Sequence, residues 1–106
     1  MTENILAVNG RAPSIAAGAW VASTATVIGS ATVGRGTGAV YSAVVRADVE
    51  DIVIGANSNV QDTAVIHADP GHPARIGDDV SVGHGVVLQG CTVDGRSPYW
   101  YERDSP

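Results

Sequence analysis

The sequence predicts an all-β solenoid of parallel strands, and both its composition and a short repeat support this fold class. Ala, Val and Gly dominate, with 13 glycines, one Met and no Phe. Branched Val and Ile suit the pleated surface of a strand, whereas glycine supplies turns with unusual dihedral angles. Helix signals are nearly absent, and apolar residues recur every six positions. A β-sandwich, the alternative, would place its turn signals about 8 to 12 residues apart.

The repeat consists of one apolar anchor residue in each hexad. Four positions after the anchors, the residues are nearly all small or branched at Cβ, and glycine follows several anchors directly. We expect these glycines at corners where one backbone closely approaches another. The anchors are Val21, Val27, Val33, Ala39, Val45, Ile54, Val60, Ile66, Ile76, Val82 and Leu88. The residues four positions later are Ala25, Ala31, Thr37, Ala43, Val49, Ser58, Ala64, Val80, Val86 and Thr92, and the glycines are Gly34, Gly55, Gly77 and Gly83.

Three flat sides are the simplest closed cross-section, so three hexads would form one coil of 18 residues. Neighbouring coils would lie about 4.8 Å apart, and the repeat amounts to about four coils. Two interruptions break it, because nine residues separate Val45 from Ile54 and ten separate Ile66 from Ile76. We expect corner loops of three and four extra residues there. Such insertions often build the binding face of a solenoid.

Chain length and the end of the repeat define the predicted domain organisation. With 106 residues the chain is one domain, which we place at residues 1–93, followed by a tail at 94–106 that fits no hexad. A domain of this size has a thin core, which predicts association into an oligomer. We expect Tyr99, Trp100 and Tyr101 either to cover the last coil or to belong to a tail without a role.

Charge and hydropathy exclude several classes of partner. The net charge is −5 with only six Lys and Arg residues, which disfavours nucleic acid and anionic membranes. No apolar run approaches the roughly 18 residues of a membrane span. Cys91 is the single cysteine, and the segment after Met1 is polar rather than a signal peptide. The expected compartment is the cytoplasm, and a small molecule or another subunit is the expected partner.

Counting coils with both insertions included predicts which residues stack. Arg46, His67 and Gln89 fall into one column, each directly after its anchor, and Asp62 and His84 fall into a second. His67 and His84 are candidate metal ligands, and a third histidine in place of Gln89 would complete the pattern of a catalytic zinc. The alternative is that both histidines are ordinary surface residues.

Several short motifs together resemble the γ-class carbonic anhydrase family of hexapeptide-repeat proteins. The resemblance covers about residues 10–93 and implies a left-handed parallel β-helix that forms a homotrimer with a metal between subunits. It implies that His67 and position 89 bind the metal from one subunit and His84 from its neighbour. The motifs are Val45-Arg46-Ala47-Asp48, Asn59-Val60-Gln61-Asp62, Ile66-His67, Val82-Gly83-His84 and Gln89-Gly90-Cys91-Thr92.

The chemistry that the resemblance implies is the hydration of CO2 to bicarbonate, with zinc, or else iron or cobalt, activating a water. Arg46, paired with Asp48, would lie near the bicarbonate and the subunit contact. Gln61 and Asp62 would position the water and relay its proton. Without the resemblance, the residues favour a plainer interpretation, in which Arg46 and Asp48 are a surface pair and Gln61 and Asp62 form a corner.

Two departures from the family pattern predict that this activity is weakened or lost and that metal occupancy is incomplete. Gln89 stands where the family has histidine, and an amide oxygen is a weaker zinc ligand than an imidazole nitrogen. The hexads also stop at Val93, so the further coils and C-terminal helix of family members are expected to be missing. His72, in the second insertion, is a candidate replacement for the third ligand. The alternatives are a non-catalytic trimeric scaffold and an acyl-CoA-dependent acyltransferase with His67 or His84 as general base.

Overall fold

A computed structural model describes residues 4–95 and the backbone of 98–99 and 103–104. All regular structure in these ranges is β-strand, and the chain winds into a left-handed parallel β-helix of about four turns. The strands are β1 (Ile5–Leu6), β2 (Ser14–Ile15), β3 (Trp20–Val21), β4 (Thr26–Val33), β5 (Gly38–Ala39), β6 (Val44–Ile54), β7 (Asn59–Val60), β8 (Val65–His67), β9 (Ala74–Ile76), β10 (Ser81–Val82), β11 (Val87–Gln89), β12 (Thr92–Val93), β13 (Pro98–Tyr99) and β14 (Arg103–Asp104).

The solenoid has three sides, and every strand pair on them is parallel. The first side stacks β1, the start of β4, the start of β6, β8, β11 and β14. The second stacks β2, the end of β4, the end of β6, β9 and β12. The third stacks β3, β5, β7, β10 and β13. The predicted fold class is therefore confirmed, with one hexad for each side of a coil.

The anchors form the core because they point into the solenoid, and all of them except the partly buried Val21 are buried. Val45, Ile66 and Leu88 follow one another on adjacent coils of the first side, and all three are 0% exposed. Burial of such side chains contributes about 1.5–3 kcal/mol each. The residues four positions later are buried as well, except for Val49 and Thr92, which are exposed. Val49 lies among the residues added by the first insertion, which displaces it from the hexad pattern.

Three of the four glycines after the anchors stand where two coils come close together. A Cβ on Gly34 would lie 2.3 Å from the carbonyl oxygen of Gly55. A Cβ on Gly55 would in turn lie 2.8 Å from the carbonyl carbon of Gly77. These distances are shorter than van der Waals contact, so the predicted close backbone approach is confirmed at Gly34, Gly55 and Gly77, whereas it stays a prediction at Gly83.

Two buried hydroxyl groups link successive coils beside these glycines. Thr37 Oγ1 donates to the Gly55 carbonyl at 2.6 Å and accepts from the Ser58 amide at 3.1 Å. One coil later, Ser58 Oγ donates to the Gly77 carbonyl at 2.8 Å and accepts from the Val80 amide at 2.9 Å. Each hydroxyl therefore satisfies one backbone donor and one backbone acceptor at a buried corner.

The two insertions occupy the same corner, between the first and second sides, but differ in form. The first does not form a separate loop: β6 runs through it, and its pairing with β4 shifts register between Gly29 and Ala31. The second projects as a small hairpin closed by a bridge between Asp69 and His72. A third projection at this corner, residues 7–13, was not predicted.

The backbone of the tail also pairs in parallel where the structure describes it. Pro98–Tyr99 pairs with Ser81–Val82, and Arg103–Asp104 pairs with Val87–Leu88. Trp100 and Tyr101, predicted as parts of a cap, lie outside the described residues. Nowhere in the described ranges is there a helix long and apolar enough to cross a membrane.

Candidate functional site

Arg46, His67 and Gln89 lie in one column at the end of the first side. Arg46 pairs in register with His67, and His67 pairs with Gln89 on the next coil. Adjacent positions in such a column are about 4.8 Å apart. The stacking predicted from coil counting is confirmed, although 21 residues of sequence separate Arg46 from His67.

The side chains of Arg46, Asp48 and His67 form a contact cluster at this corner. Arg46 Nη2 lies 3.0 Å from His67 Nε2, and Arg46 Nε lies 3.5 Å from Asp48 Oδ2. A guanidinium is a donor only, so His67 Nε2 accepts this hydrogen bond with its lone pair. Nδ1 is the other ring nitrogen of His67. That nitrogen faces Asp69 Oδ1 at 3.8 Å.

Asp48 has one carboxylate oxygen without a hydrogen-bond partner. Its Oδ1 atom is buried and accepts no hydrogen bond from the residues described. The nearest ring nitrogen is His67 Nε2, at 3.7 Å, which is too long for a hydrogen bond. A buried carboxylate oxygen in this state is costly unless positive charge is close. The Arg46 guanidinium supplies that charge.

Gln89 is held by the hairpin that the second insertion forms. Its Nε2 donates to both carboxylate oxygens of Asp69, at 3.1 Å and 2.8 Å. The amide nitrogen is therefore already hydrogen-bonded. Oε1 is the side-chain atom of Gln89 that can still accept a hydrogen bond or bind a cation. Asp69 thus holds Gln89 by hydrogen bonds and lies beside His67.

The hairpin is fastened to the rest of the corner by the first insertion. Glu50 Oε2 accepts a hydrogen bond from the Gly71 amide at 2.9 Å. The adjacent Asp51 accepts from Ser30 Oγ at 2.6 Å and lies 3.9 Å from Arg11 of the 7–13 loop. The three projections therefore support one another around the column.

A cleft of about 320 Å³ lies beside Gln89, lined by Asp69, His72, Gln89 and Gly90. His72 is exposed in this cleft, and its backbone is held by reciprocal hydrogen bonds with Asp69. His72 thus lies in the same cleft as Gln89. Its role as a replacement ligand stays a prediction.

The second predicted column lies at the other end of the first side. The Gly85 amide donates to the Asp62 carbonyl at 3.0 Å, which aligns His84 with Asp62 on adjacent coils. Both side chains are exposed. Gln61 Nε2 donates to Asn59 Oδ1 at 3.0 Å. Within one chain, His84 precedes strand β11 and Gln89 ends it, so the structure does not bring the three predicted metal ligands together.

A separate cleft of about 780 Å³ lies at the first coil, partly lined by Trp20 and Tyr41. These two rings form an edge-to-face pair with centroids 6.0 Å apart, and both are exposed. The cleft contains none of the candidate site residues, so it is distinct from the column.

Known proteins similar to this chain include carbonic anhydrases and a hexapeptide transferase. The chain is 45% identical over 74 residues to a Methanocaldococcus jannaschii protein named as a probable carbonic anhydrase, a match that covers 70% of this chain and 46% of that protein. It is 40% identical over 90 residues to the mitochondrial gamma carbonic anhydrase 1 of Arabidopsis thaliana, covering 79% and 33%. The crystal structure of a hexapeptide transferase family protein from Anaplasma phagocytophilum matches with a TM-score of 0.82 at 34% identity, covering 87% and 54%. No protein-family model matches the chain.

The solenoid and its repeat define a hexapeptide-repeat protein. Within that class, the chain belongs to the γ-class carbonic anhydrase-like family. The chain spans half or less of the length of the two carbonic anhydrases that it matches. The resemblance read from the motifs is thereby confirmed at the level of family and fold.

The residues of one chain do not fit the zinc ion that this family implies. His67 is the one imidazole in its column, and the Arg46 guanidinium holds its Nε2 lone pair. Gln89, the next residue of the column, carries an amide rather than an imidazole, and Asp69 binds that amide. Among the described residues, no group of three or more His, Cys, Asp or Glu side chains is arranged to hold a metal ion.

Sequence reasoning missed two acidic residues that organise the site. Asp69 contacts both His67 and Gln89, and Glu50 fastens the hairpin that carries Asp69. Each lies in an insertion, which was the available signal, since insertions into a solenoid often carry function. Their partners could not be identified because coil counting aligns strands and leaves the paths of inserted residues open.

Proposed function

We propose that this chain is a γ-class carbonic anhydrase-like protein in which the zinc-dependent, reversible hydration of CO2 to bicarbonate is weakened or lost. The single observation that carries this proposal is the position of Gln89. It occupies the column of His67, and its amide nitrogen is bound by Asp69. An amide oxygen binds zinc more weakly than an imidazole nitrogen, so the site lacks one strong ligand.

The homotrimer expected of this family is part of the proposal. Gln89 and His67 of one subunit would then face His84 of a neighbouring subunit. The exposure of His84 is compatible with such a contact, because an exposed imidazole is free to reach another chain. Zinc remains the proposed metal, with iron or cobalt as alternatives and with incomplete occupancy.

The proposed roles of the remaining residues follow from their chemistry. Arg46 is half exposed and paired with Asp48, so it is placed to bind bicarbonate with the part of its guanidinium that faces solvent. Gln61 and Asp62 are proposed to position the reacting water and to accept its proton. The Gln61 Nε2 hydrogen bond to Asn59 orients that amide. We propose the cytoplasm as the compartment.

A non-catalytic trimeric scaffold is the second candidate function. It is favoured by the Arg46–His67 hydrogen bond, because this contact satisfies the imidazole within the chain. The core and the ladder of buried hydroxyls are independent of the site, so the fold can persist without the reaction. An acyl-CoA-dependent acyltransferase is less favoured, because the Nε2 atom that would act as a general base in His67 is already an acceptor. Saturable binding of acetyl-CoA would restore that candidate.

The test is metal content together with mass in solution and the rate of CO2 hydration. The protein is expressed with zinc, or anaerobically with iron, and compared with His67→Ala as the matched control. We expect a trimer with well below about one metal ion per chain and hydration slow or absent. Full occupancy with rapid hydration that His67→Ala abolishes would contradict the proposal.

The assembly state separates the remaining outcomes. An inactive, metal-free trimer supports loss of the reaction and favours the scaffold. A metal-free monomer or aggregate would contradict the trimer.

A further inference from the structure

We propose that the Arg46 guanidinium is the resident cation of this site and holds it in an arrangement that a divalent metal must break. The inference concerns the same site as the proposed function but does not require catalysis. It explains with contacts on one chain why the residues do not fit a zinc ion. Three observations support it. Arg46 donates a hydrogen bond to His67, Asp48 places a negative charge beside that ring, and Asp69 holds the amide of Gln89.

The first step concerns His67 Nε2. A metal binds imidazole through a nitrogen lone pair, and in this chain Arg46 Nη2 donates to that lone pair at 3.0 Å. The His67 side chain is only 19% exposed, so the ring is enclosed rather than free to turn into solvent. A metal and the guanidinium cannot use the same lone pair, so the two cations compete.

The second step concerns the negative charge beside the ring. Asp48 Oδ1 is buried without a hydrogen-bond partner and lies 3.7 Å from His67 Nε2. Asp48 Oδ2 lies 3.5 Å from Arg46 Nε. A carboxylate in this position needs a nearby positive charge, and the guanidinium meets that need. Asp48 therefore strengthens the binding of Arg46 beside the ring nitrogen that a metal would need.

The third step concerns Gln89, the next residue of the column. Its Nε2 is bound to both oxygens of Asp69, and Asp69 is fixed on the hairpin that Glu50 fastens. Oε1 is the one atom that Gln89 can offer a metal. A neutral amide oxygen adds little to the binding energy of a metal. That energy is too small to displace the Arg46 guanidinium, which is held by its ion pair with Asp48 and its hydrogen bond to the His67 ring.

The test compares two variants that each remove one positive charge. Arg46→Gln removes the competing guanidinium, and Arg75→Gln removes an exposed guanidinium on the second side of the solenoid. Binding of Co²⁺ to each protein is followed by its visible absorption at equal protein concentration and equal mass in solution. We expect Arg46→Gln to bind Co²⁺ at least about tenfold more tightly than the wild type. We expect Arg75→Gln to bind as the wild type does, and His67→Ala in the Arg46→Gln background to abolish the gain.

Two results would overturn the inference. One is Co²⁺ affinity in Arg46→Gln that equals or falls below that of the wild type, because Arg46 would then be neutral to the metal or support it. The other is an equal gain in Arg46→Gln and Arg75→Gln, because the effect would then be a general one of net charge.

A measurement on the wild-type protein keeps the inference testable if Arg46→Gln does not fold. Nitrogen-15 NMR of the imidazole rings reports which ring nitrogen carries the proton. We expect His67 to be the Nδ1–H tautomer with Nε2 as a hydrogen-bond acceptor, with exposed His72 and His84 as internal references. A proton on Nε2 of neutral His67 would overturn the inference. Neither measurement involves CO2 hydration. The proposed function can therefore be contradicted while this inference holds, and this inference can be contradicted while the proposed function holds.

Discussion

The side-chain nitrogen of Gln89 lies 2.8 Å from Asp69 Oδ2 and 3.1 Å from Oδ1. A neutral amide and a carboxylate from two coils of the solenoid thus form one hydrogen-bonded unit. His67, the neighbour of Gln89 in register, presents its Nδ1 atom to the same carboxylate at 3.8 Å. Asp69 is therefore the residue through which the hairpin binds Gln89, the last residue of the column.

Replacement of Gln89 by histidine should raise zinc affinity by about tenfold or more, because an imidazole replaces an amide as ligand. Asp69 would then face a second imidazole, and a carboxylate beside a ligating ring strengthens binding. The measurement is zinc affinity by competition with a chelator, and His67→Ala added to Gln89→His should reverse the gain. Unchanged affinity in a variant with the same mass in solution as the wild type would mean that Gln89 is not the limiting defect.

Removal of the Asp69 carboxylate should destabilise the protein modestly. Asp69→Ala breaks two contacts to Gln89, but the carboxylate is 42% exposed, so we expect a loss of about 1 kcal/mol in the free energy of unfolding. Urea unfolding measures this change. The matched control is Asp94→Ala, which removes an exposed carboxylate on the last described coil and should alter stability by less than about 0.5 kcal/mol. Equal effects of the two substitutions would show that the hydrogen bonds between Asp69 and Gln89 contribute nothing to stability.

Removal of the Thr37 hydroxyl should destabilise the protein even when the volume of the side chain is kept. Thr37→Val keeps the volume but leaves the Gly55 carbonyl and the Ser58 amide without their partner at a buried corner. We expect the free energy of unfolding to fall by about 1–3 kcal/mol. Thr32→Val, on the exposed face of β4, is the control and should change stability by less than about 0.5 kcal/mol. Equal unfolding free energies for Thr37→Val and Thr32→Val in chemical denaturation would refute a structural role for the buried hydroxyl.

A methyl group at Gly34 should disrupt the stacking of coils. The Cβ of Gly34→Ala would lie 2.3 Å from the Gly55 carbonyl oxygen, and backbone on an adjacent coil cannot move aside without breaking pairing. We expect a loss of about 3 kcal/mol or more, measured by thermal and urea unfolding. Gly38→Ala is the control, because its Cβ would meet nothing closer than the Trp20 ring at 3.7 Å. A Gly34→Ala protein as stable as Gly38→Ala would contradict this account of the corner.

Coil counting predicted the register of the site because parallel pairing repeats along the whole chain. Once the insertions were counted, Arg46, His67 and Gln89 had to share a column, and Asp62 had to align with His84. The roles of these residues in a reaction were not accessible in the same way. A role depends on which atoms face one another, and at a corner this follows from the backbone path of the inserted residues.

The sequence by itself determined the class of fold, the period of the coils and the columns of stacked residues. It could do so because each is a consequence of backbone hydrogen bonding and of apolar anchors repeated at a constant spacing. Only the tertiary structure decided that β6 runs through the first insertion, that Glu50 fastens the hairpin and that Asp69 holds Gln89. It also decided that the Arg46 guanidinium meets His67 Nε2. These contacts join inserted residues from different coils, and no repeat constrains them, so their geometry follows from the packing of three projections at one corner.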